Sequence, residues 1–456
     1  MTIRFDDSLG ILSEVIVKKL GEDALTTGVA LRDVSGRLSF FASVDLEDET
    51  LELISKQLRS ELGPYARTDR VLAGCNDLGV KDILTNNAIL VIKVGPHRVR
   101  LLDRRLVGAD WLRVPVVAAA PPPRFVFASL KGGVGRSTAL SVAAADLASH
   151  GKRVLAIDLD MEAPGLGAML LDDGTVPEFG IIDALVENGI GSLDDRFFAD
   201  LVGPSSLANR MGRIDVIPAF GSRSIKNPAD VLAKIARAYA EDVRPDGTVA
   251  TILDQVRELV DHFAQPTRYD AILIDARAGL HETTASSILG LGAEIFLFGV
   301  DEPQTFLGYS VLLFHLARFL NPNDLRPEWI ERITMVHGKA PSDPDERAVF
   351  VDKCQNLFMN SGLWSRAQAG LAEVIFPAEP FNNVPWDDEA KDEDVLGNEK
   401  LEYPEPVAIL DDGRFRQFDP MKRRDLLSEE LYRSSFGQFL DRIYQSFPPD
   451  EESLGR

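Results

Sequence analysis

A glycine-rich stretch that ends on two hydroxyl residues is the part of this sequence best suited to chemistry. It reads FVFASLKGGVGRST and begins at Phe125. Its glycines can adopt backbone angles that direct consecutive N–H groups at a single anion. The helix opened by Ser137 and Thr138 would add the positive end of its dipole to the same site. An apolar strand, a glycine-rich turn and a helix N-terminus in this order predict a phosphate-binding loop.

Two apolar runs further along the chain each end on aspartates. LAIDLD ends with Asp158 and Asp160, and AILID ends with Asp275. Continuous apolar runs of this kind, separated by helical patterns, predict parallel strands covered on both faces. Ligands of such sheets bind at the carboxyl ends of the strands. We therefore expect the glycine loop and the three carboxylates at one edge of one sheet.

The elements that must position these residues predict an α/β fold. We expect a mostly parallel sheet with helices on both faces, preceded by a small N-terminal α/β domain. A helical pattern at Lys422–Ser446 closes the chain and fits docking onto the sheet. The strands that follow the loop are expected at Val154–Ile157, Ile214–Pro218, Ala271–Ile274, Ile295–Val300 and Ile333–Val336.

Composition divides the chain into two domains. Residues 1–117 resemble a separate α/β unit without a catalytic constellation, so we expect partner binding or regulation there. AAAPPP at residues 118–123 predicts a linker, because a proline run cannot continue a strand or a helix. Residues 124–456 form the second domain. Its acidic segment at 386–406 is interpreted as a surface loop or partly disordered insertion, or as a docking site for a partner.

The charge of the chain is strongly negative. Lys and Arg number 49 against 71 Asp and Glu, which gives a net charge of −22. This charge opposes non-specific binding to DNA and to anionic lipid, so neither is an expected partner. The two cysteines, Cys75 and Cys354, are far apart and typical of a reducing cytoplasm. No apolar run approaches the roughly 18 residues that a membrane span needs.

Three motifs together resemble those of a known family. KGGVGRST, VLAIDLD and YDAILID are similar to the motifs of the ParA/MinD group, P-loop ATPases with a deviant Walker A loop. The loop of that group reads KGG-x-x-K-[ST], its second strand ends D-x-D, and its third ends on the Walker B aspartate. The similarity is clear over Arg124–Leu320, looser over the rest of the second domain, and does not extend to residues 1–123. It implies a P-loop NTPase sheet that binds ATP and Mg²⁺.

The resemblance implies a role for each residue of the loop. The glycines and the following backbone amides would cradle the α- and β-phosphates of ATP. Lys131 matches the signature lysine of the family, which reaches across an ATP-bridged homodimer to the phosphates of the partner. The nucleotide-binding residues would be Lys131, Gly132, Gly133, Val134, Gly135, Arg136, Ser137 and Thr138.

The resemblance also implies roles for the carboxylates. Asp160 would position the attacking water, and with Lys131 it would form the catalytic pair. Mg²⁺ is a hard cation that takes few protein oxygens. Its contacts would come from Ser137 Oγ, from Asp158 as support of the metal shell, and from Asp275 through a bound water. In phosphoryl transfer, such positioning and charge neutralisation are nearly all that a protein contributes.

Arg136 departs from the family pattern, which has a second lysine at this place. Lysine is a compact point charge, whereas arginine is longer, forked and always charged. A guanidinium can still bind phosphate oxygens in a bidentate manner, so we expect nucleotide binding to survive the exchange. Whether the loop hydrolyses ATP or only holds it stays open at this point.

Other side chains near the motifs have two interpretations each. Arg277 would act as a cis arginine at the γ-phosphate, or it is an ordinary surface arginine or one paired with Glu282. His281 is a candidate general base, although the resemblance assigns water positioning elsewhere. Glu162 is a further switch carboxylate or a helix cap. His337 stands where the family offers an asparagine to the base, which leaves adenine recognition open.

Two functions follow from these interpretations. The first is a nucleotide-gated homodimer, in which ATP bridges two copies, hydrolysis releases them and the N-terminal domain reads the state. Its partner would be an unidentified protein encoded nearby. The second is a nucleotide-binding scaffold or regulator that does not hydrolyse ATP, marked by Arg136.

Overall fold

The N-terminal part of the chain forms a five-stranded sheet covered by helices. The computed structural model describes residues 3–105, 107–191, 193–208, 211–244, 247–320, 327–364 and 405–447. The strand order of the first sheet is β3-β2-β1-β5-β4. Its elements are α1 (Phe5–Leu20), α2 (Asp23–Thr27), β1 (Val29–Arg32), β2 (Leu38–Phe41), α3 (Asp48–Leu62), β3 (Leu72–Ala73), α4 (Val80–Leu84), β4 (Leu90–Val94) and β5 (His97–Asp103).

A second sheet of eight strands begins at Arg124. The first half of its elements comprises β6 (Arg124–Ser129), α5 (Arg136–Ser149), β7 (Arg153–Asp158), α6 (Leu166–Leu170), α7 (Ile181–Asn188), α8 (Asp195–Ala199), β8 (Gly203–Pro204), β9 (Arg213–Ile217), α9 (Ser222–Lys226) and α10 (Val231–Ala238). A two-stranded ribbon, β10 (Asp242–Val243) with β11 (Val249–Ala250), follows. The second half comprises α11 (Ile252–Phe263), β12 (Ala271–Ala278), α12 (Glu282–Gly290), β13 (Glu294–Gly299), α13 (Pro303–Leu316), β14 (Ile333–Ala340), α14 (Pro344–Ser361), β15 (Val407–Leu410) and α15 (Glu429–Tyr444).

The second sheet is mostly parallel, which confirms the predicted fold class. Its order is β15-β14-β13-β6-β12-β7-β9-β8, and only the β8–β9 pair is antiparallel. Both faces of β6 are buried, because successive side chains enter different cores. Phe125 and Phe127 pack with α5 and α15, whereas Val126 and Ala128 pack with α11 to α14. This double burial is the physical reason for the continuous apolar runs of the sequence.

The segment between the two sheets is bound to the second one. The Val116 amide donates to the Leu289 carbonyl at 2.9 Å, and the Ala119 amide donates to the Gly292 carbonyl at 2.9 Å. The backbone of the expected linker thus runs beside α12 and the start of β13. The division of the chain into domains at residues 118–123 stays a prediction.

Two of the elements that the sequence analysis omitted belong to the second sheet or pack directly against it. One is α12, directly after β12, and the other is β15, which pairs in parallel with β14 at the edge of the sheet. The C-terminal helix starts at Glu429, later than expected, because a short 3₁₀ turn occupies Arg424–Leu427. Of the acidic segment at 386–406, all but the last two residues lie outside the described part of the chain.

Candidate functional site

The glycine loop connects β6 to α5 and is open to solvent. Gly133 and Gly135 have φ angles of +80° and +92°, a region that side chains rarely enter. Gly135 immediately precedes the first residue of α5. A Cβ atom added at Gly132, Gly133 or Gly135 would meet nothing within 4 Å, so the space in front of the loop is free. Val134 is buried and anchors the loop from behind. The loop can therefore accept an anion at the N-terminus of α5.

The strand register brings the aspartates to the same edge, as the sequence analysis predicted. Asp158 and Asp275 are direct neighbours across the β7–β12 pair. Asp275 also lies opposite Phe127 of β6, two residues before the end of that strand. Asp160 follows β7 and is 6% exposed. The three carboxylates are thus next to the start of the glycine loop.

The Arg136 side chain lies between two of these carboxylates. Its Nε is 2.5 Å from Asp275 Oδ1, and its Nη2 is 3.4 Å from Asp160 Oδ2. Nη1 donates to Ser129 Oγ at 3.3 Å. The Ser137 hydroxyl donates to the other oxygen of Asp275 at 2.7 Å. Since the Arg136 side chain is 10% exposed, this is a buried ion pair rather than a surface contact.

Asp158 is bound by backbone amides on both of its oxygens. Oδ1 accepts from the Asp160 amide at 3.0 Å, and Oδ2 accepts from the amides of Gly165 and Leu166 at 3.2 and 3.0 Å. Complete burial, and then the neighbouring Asp275, raise the pKa of Asp158 to about 7. Asp158 thus fixes the turn that follows β7.

Burial also raises the pKa of Asp275, against the opposing effects of Arg136 and Ser137. The charge of Asp275 therefore depends on the guanidinium beside it.

The Lys131 side chain is more exposed to solvent than the Arg136 side chain. The Lys131 ammonium pairs with Glu302, which precedes α13 in the same chain. The two side chains are 32% and 51% exposed, so the pair faces solvent. Thr138 is partly exposed in the first turn of α5. The sequence analysis did not identify Glu302, because nothing in the local pattern links it to the loop.

Arg277 pairs with Glu162 and not with Glu282, which corrects one of the two interpretations given above. The Arg277 guanidinium contacts the Glu162 carboxylate directly. Glu282 instead accepts from the backbone amide of Gly108. Glu162 therefore connects the turn after β7 to the end of β12. Arg277 Nη1 is buried without a hydrogen-bond partner among the described residues.

His281 and Tyr239 complete this group of side chains. Their rings are 4.8 Å apart in an edge-on arrangement. Burial, and then the Arg277 charge, lower the pKa of His281. Burial, and then Glu162, raise the pKa of Tyr239 to about 12. Both groups are therefore neutral near pH 7. The sequence analysis missed Tyr239, which reaches the site from the end of α10.

His337 lies away from solvent in β14, between β13 and the edge strand β15. It is 4% exposed, and its ring is stacked on Phe350 with centroids 4.0 Å apart. Burial lowers the pKa of His337 to about 4. The ring lines a cavity of 450 Å³ between α14, β15 and α15, together with Arg347 and Gln438. The imidazole is therefore a neutral, packed side chain.

Comparison with known protein families identifies the part of the chain that carries the loop. Residues 125–279 match the CobQ/CobB/MinD/ParA nucleotide binding domain. This part of the chain is a nucleotide-binding domain of the ParA/MinD type. The match contains the loop and all three aspartates. No curated protein sequence matches the chain.

Several solved structures are similar to the chain at low sequence identity. The cell division ATPase MinD of Pyrococcus furiosus is 15% identical, with 71% of this chain and 99% of that chain covered and a TM-score of 0.39. A ParA family ATPase from Chlorobium tepidum is 17% identical over 72% and 94%, with a TM-score of 0.38. Cobyrinic acid a,c-diamide synthase from Mycobacterium smegmatis, solved with ADP and magnesium, is 16% identical over 51% and 82%, with a TM-score of 0.34.

The nucleotide-binding domain fits a phosphate group better than it fits a metal ion. The loop offers open space, left-handed glycines and a helix N-terminus to an anion. The residues expected to hold Mg²⁺ are instead engaged with one another, with Arg136 or with backbone amides; these are Ser137, Asp158 and Asp275. Within the described residues, no group of three or more His, Cys, Asp or Glu side chains could hold a metal ion. In this arrangement the site does not fit a bound Mg²⁺.

The described helices do not include a membrane span. None of them is both long enough and apolar enough to cross a lipid bilayer.

Proposed function

We propose that this protein binds ATP at the loop of residues 131–138 and that ATP controls its association into a homodimer. One observation carries the proposal: the open glycine loop and three buried carboxylates share the carboxyl edge of one parallel sheet. The amides at the start of α5 would bind the phosphates, aided by the helix dipole. Asp160 would position the water that attacks the γ-phosphate.

Lys131 is the residue proposed to link nucleotide to dimer. In the single chain its ammonium pairs with Glu302 at an exposed place. Exposed ion pairs contribute only about 0–1 kcal/mol, so Lys131 can leave Glu302 at little cost. A phosphate bound to a second copy would offer Lys131 a stronger partner. Because that contact exists only in the dimer, ATP would shift the population toward it.

The N-terminal sheet is proposed to sense the nucleotide through the segment that precedes the linker. The Gly108 amide donates to Glu282 at the start of α12. Asp110 Oδ2 accepts from the Leu253 amide at 2.9 Å, and Arg113 pairs with Asp254 at 2.8 Å. A shift of α12 would therefore move the segment that follows the last strand of the N-terminal sheet. A protein partner that binds this sheet would detect the change.

The dimer switch is tested by measuring molecular mass in solution. Light scattering after size exclusion should give a dimer with a non-hydrolysable ATP analogue and a monomer with ADP or without nucleotide. Lys131→Ala should bind the analogue and stay monomeric. Lys422→Ala is the matched control, since Lys422 also forms an exposed pair, 2.8 Å from Asp419, outside the loop. A wild-type protein that is monomeric in all three states contradicts the switch.

A second candidate function is favoured by the contacts of Arg136. The guanidinium forms an ion pair with Asp160, the residue proposed to position water. A scaffold that binds nucleotide without hydrolysing it would have such a site. A timed assay of phosphate release from ATP separates the two functions. Release that is abolished by Asp160→Ala supports the switch, whereas tight binding without release at any protein concentration supports the scaffold.

A further inference from the structure

The guanidinium of Arg136 occupies the place where carboxylate charge is concentrated in the nucleotide site. Three of its nitrogens are engaged in different directions: Nε toward Asp275, Nη2 toward Asp160 and Nη1 toward Ser129. The side chains of Asp160 and Asp275 are 8% and 3% exposed, so water screens neither of them well. A planar fork can bridge two carboxylates in this way, whereas a lysine ammonium is a single point.

The same contacts place a permanent cation against one oxygen of Asp275 and a hydroxyl hydrogen against the other. Its Oδ1 faces Arg136 Nε, and its Oδ2 accepts the hydroxyl hydrogen of Ser137. The hydroxyl hydrogen of Ser137 is directed at Asp275. Mg²⁺ needs near-octahedral oxygen ligands at about 2.0–2.1 Å, and it brings two positive charges. To bind here it would have to displace a permanent cation from a buried partner.

The phosphate-binding part of the loop does not depend on these contacts. Gly132 and Gly133 are exposed, and a Cβ atom at either would meet nothing within 4 Å. The amides at the start of α5 can bind an anion while the Arg136 side chain stays between the carboxylates. The site can thus hold phosphate while Arg136 offsets part of the negative charge of its side chains.

We propose that Arg136 is the resident counter-cation of the Asp160–Asp275 pair, and that the loop therefore takes the free nucleoside phosphate rather than its Mg²⁺ complex. The inference rests on the proposed nucleotide binding and adds the ionic form of the ligand. Its consequence is that chelation of divalent ions leaves nucleotide affinity intact. A lysine at this position would make nucleotide binding depend on a divalent metal ion, because its ammonium cannot pair with both carboxylates.

The test measures ADP affinity of the full chain by calorimetry, once with excess Mg²⁺ and once with EDTA. We expect the wild-type dissociation constant to be equal in the two buffers or smaller in EDTA. Arg136→Lys should bind ADP about tenfold or more weakly in EDTA than in Mg²⁺. Arg124→Lys is the matched control, since Arg124 is 8% exposed, pairs with Asp261 at 2.7 Å and lies at the opposite end of β6. It should behave as the wild type does.

A wild-type protein that loses affinity about tenfold in EDTA overturns the inference and leaves the proposed function standing. Absence of ADP binding in both buffers overturns the proposed function, and the inference with it. A second measurement needs no variant: electron paramagnetic resonance of Mn²⁺ added to the wild-type protein with ADP. We expect ADP to leave the metal on entering the protein, so that the free Mn²⁺ signal rises. A protein-bound Mn²⁺–ADP complex would contradict the proposal.

Discussion

Replacing Tyr432 by Phe is expected to loosen the attachment of the helix that carries the phosphate loop. The Tyr432 hydroxyl donates to Asp146 Oδ1 at 2.7 Å, and the Tyr444 hydroxyl donates to Asp146 Oδ2 at 2.7 Å. Asp146 belongs to α5, is fully buried, and receives both donors from α15. The two tyrosines therefore connect the C-terminal helix to the helix that begins at Arg136.

The magnitude follows from the type of bond and its burial. A hydrogen bond to a charged group contributes about 1.5–3 kcal/mol, and a buried acceptor left without it keeps the cost of desolvation. We expect Tyr432→Phe to lower the free energy of unfolding by about 2 kcal/mol, because Tyr432 is buried. Tyr444 is partly exposed, and its hydroxyl also lies 3.1 Å from His150 Nδ1. Water can replace it in part, so Tyr444→Phe should cost about 1 kcal/mol.

Urea unfolding at pH 7, followed by circular dichroism, measures these differences. The loss in the double variant should differ from the sum of about 3 kcal/mol, because both hydroxyls bind the same carboxylate and residues that share a partner are coupled. Tyr65→Phe is the control, since the Tyr65 hydroxyl forms no hydrogen bond with any residue that the structure describes. If both single variants at 432 and 444 unfold within about 0.5 kcal/mol of the wild type, Asp146 is not held as the structure indicates.

Three further outcomes are expected. Because the pKa of His337 is lowered to about 4 in the folded protein, the unfolded state takes up the proton first as the pH falls below 6.5. His337→Phe keeps the stacking on Phe350. Between pH 7 and 5 its free energy of unfolding should fall by about 2 kcal/mol less than that of the wild type. Urea unfolding at each pH measures the difference. Glu302→Gln should change stability by less than about 1 kcal/mol but release Lys131, so the ATP-dependent dimer should form at lower protein concentration; an unchanged dimer constant contradicts the role of that pair. Gly133→Ala should cost about 1–2 kcal/mol because of its positive φ, and the loss should appear in the melting temperature.

The sequence predicted the sheet because burial leaves a direct mark on it. β6, β7 and β12 are covered on both faces, so their residues are apolar without alternation. β15 could not be found in this way, since it has four residues and lies at the edge of the sheet. α12 was missed because its buried residues include serines and threonines that bond to the preceding turn. Two examples are Ser286, which donates to the Glu282 carbonyl, and Ser287, which donates to the Thr283 carbonyl.

The site was predictable in its backbone and not in its side-chain contacts. The convergence of the loop with Asp158 and Asp275 follows from a general rule for parallel sheets. No such rule predicts which carboxylates pair with Lys131 and Arg277. Glu302 and Glu162 are 171 residues from Lys131 and 115 residues from Arg277, respectively. No local pattern encodes such pairs, because they arise only when separate loops meet above the sheet.

The two cations of the loop differ in burial, and this difference separates their functions. Lys131 and its partner are 32% and 51% exposed, so their pair is weak and salt can screen it. Arg136 and its partners are 10% exposed or less, and removing one member of such a buried pair costs about 3–5 kcal/mol. A bound phosphate can therefore recruit Lys131 at little cost, whereas Arg136 is held in place. A change of nucleotide would then act through Lys131 rather than through the carboxylate side of the site, where Arg136 already supplies a cation.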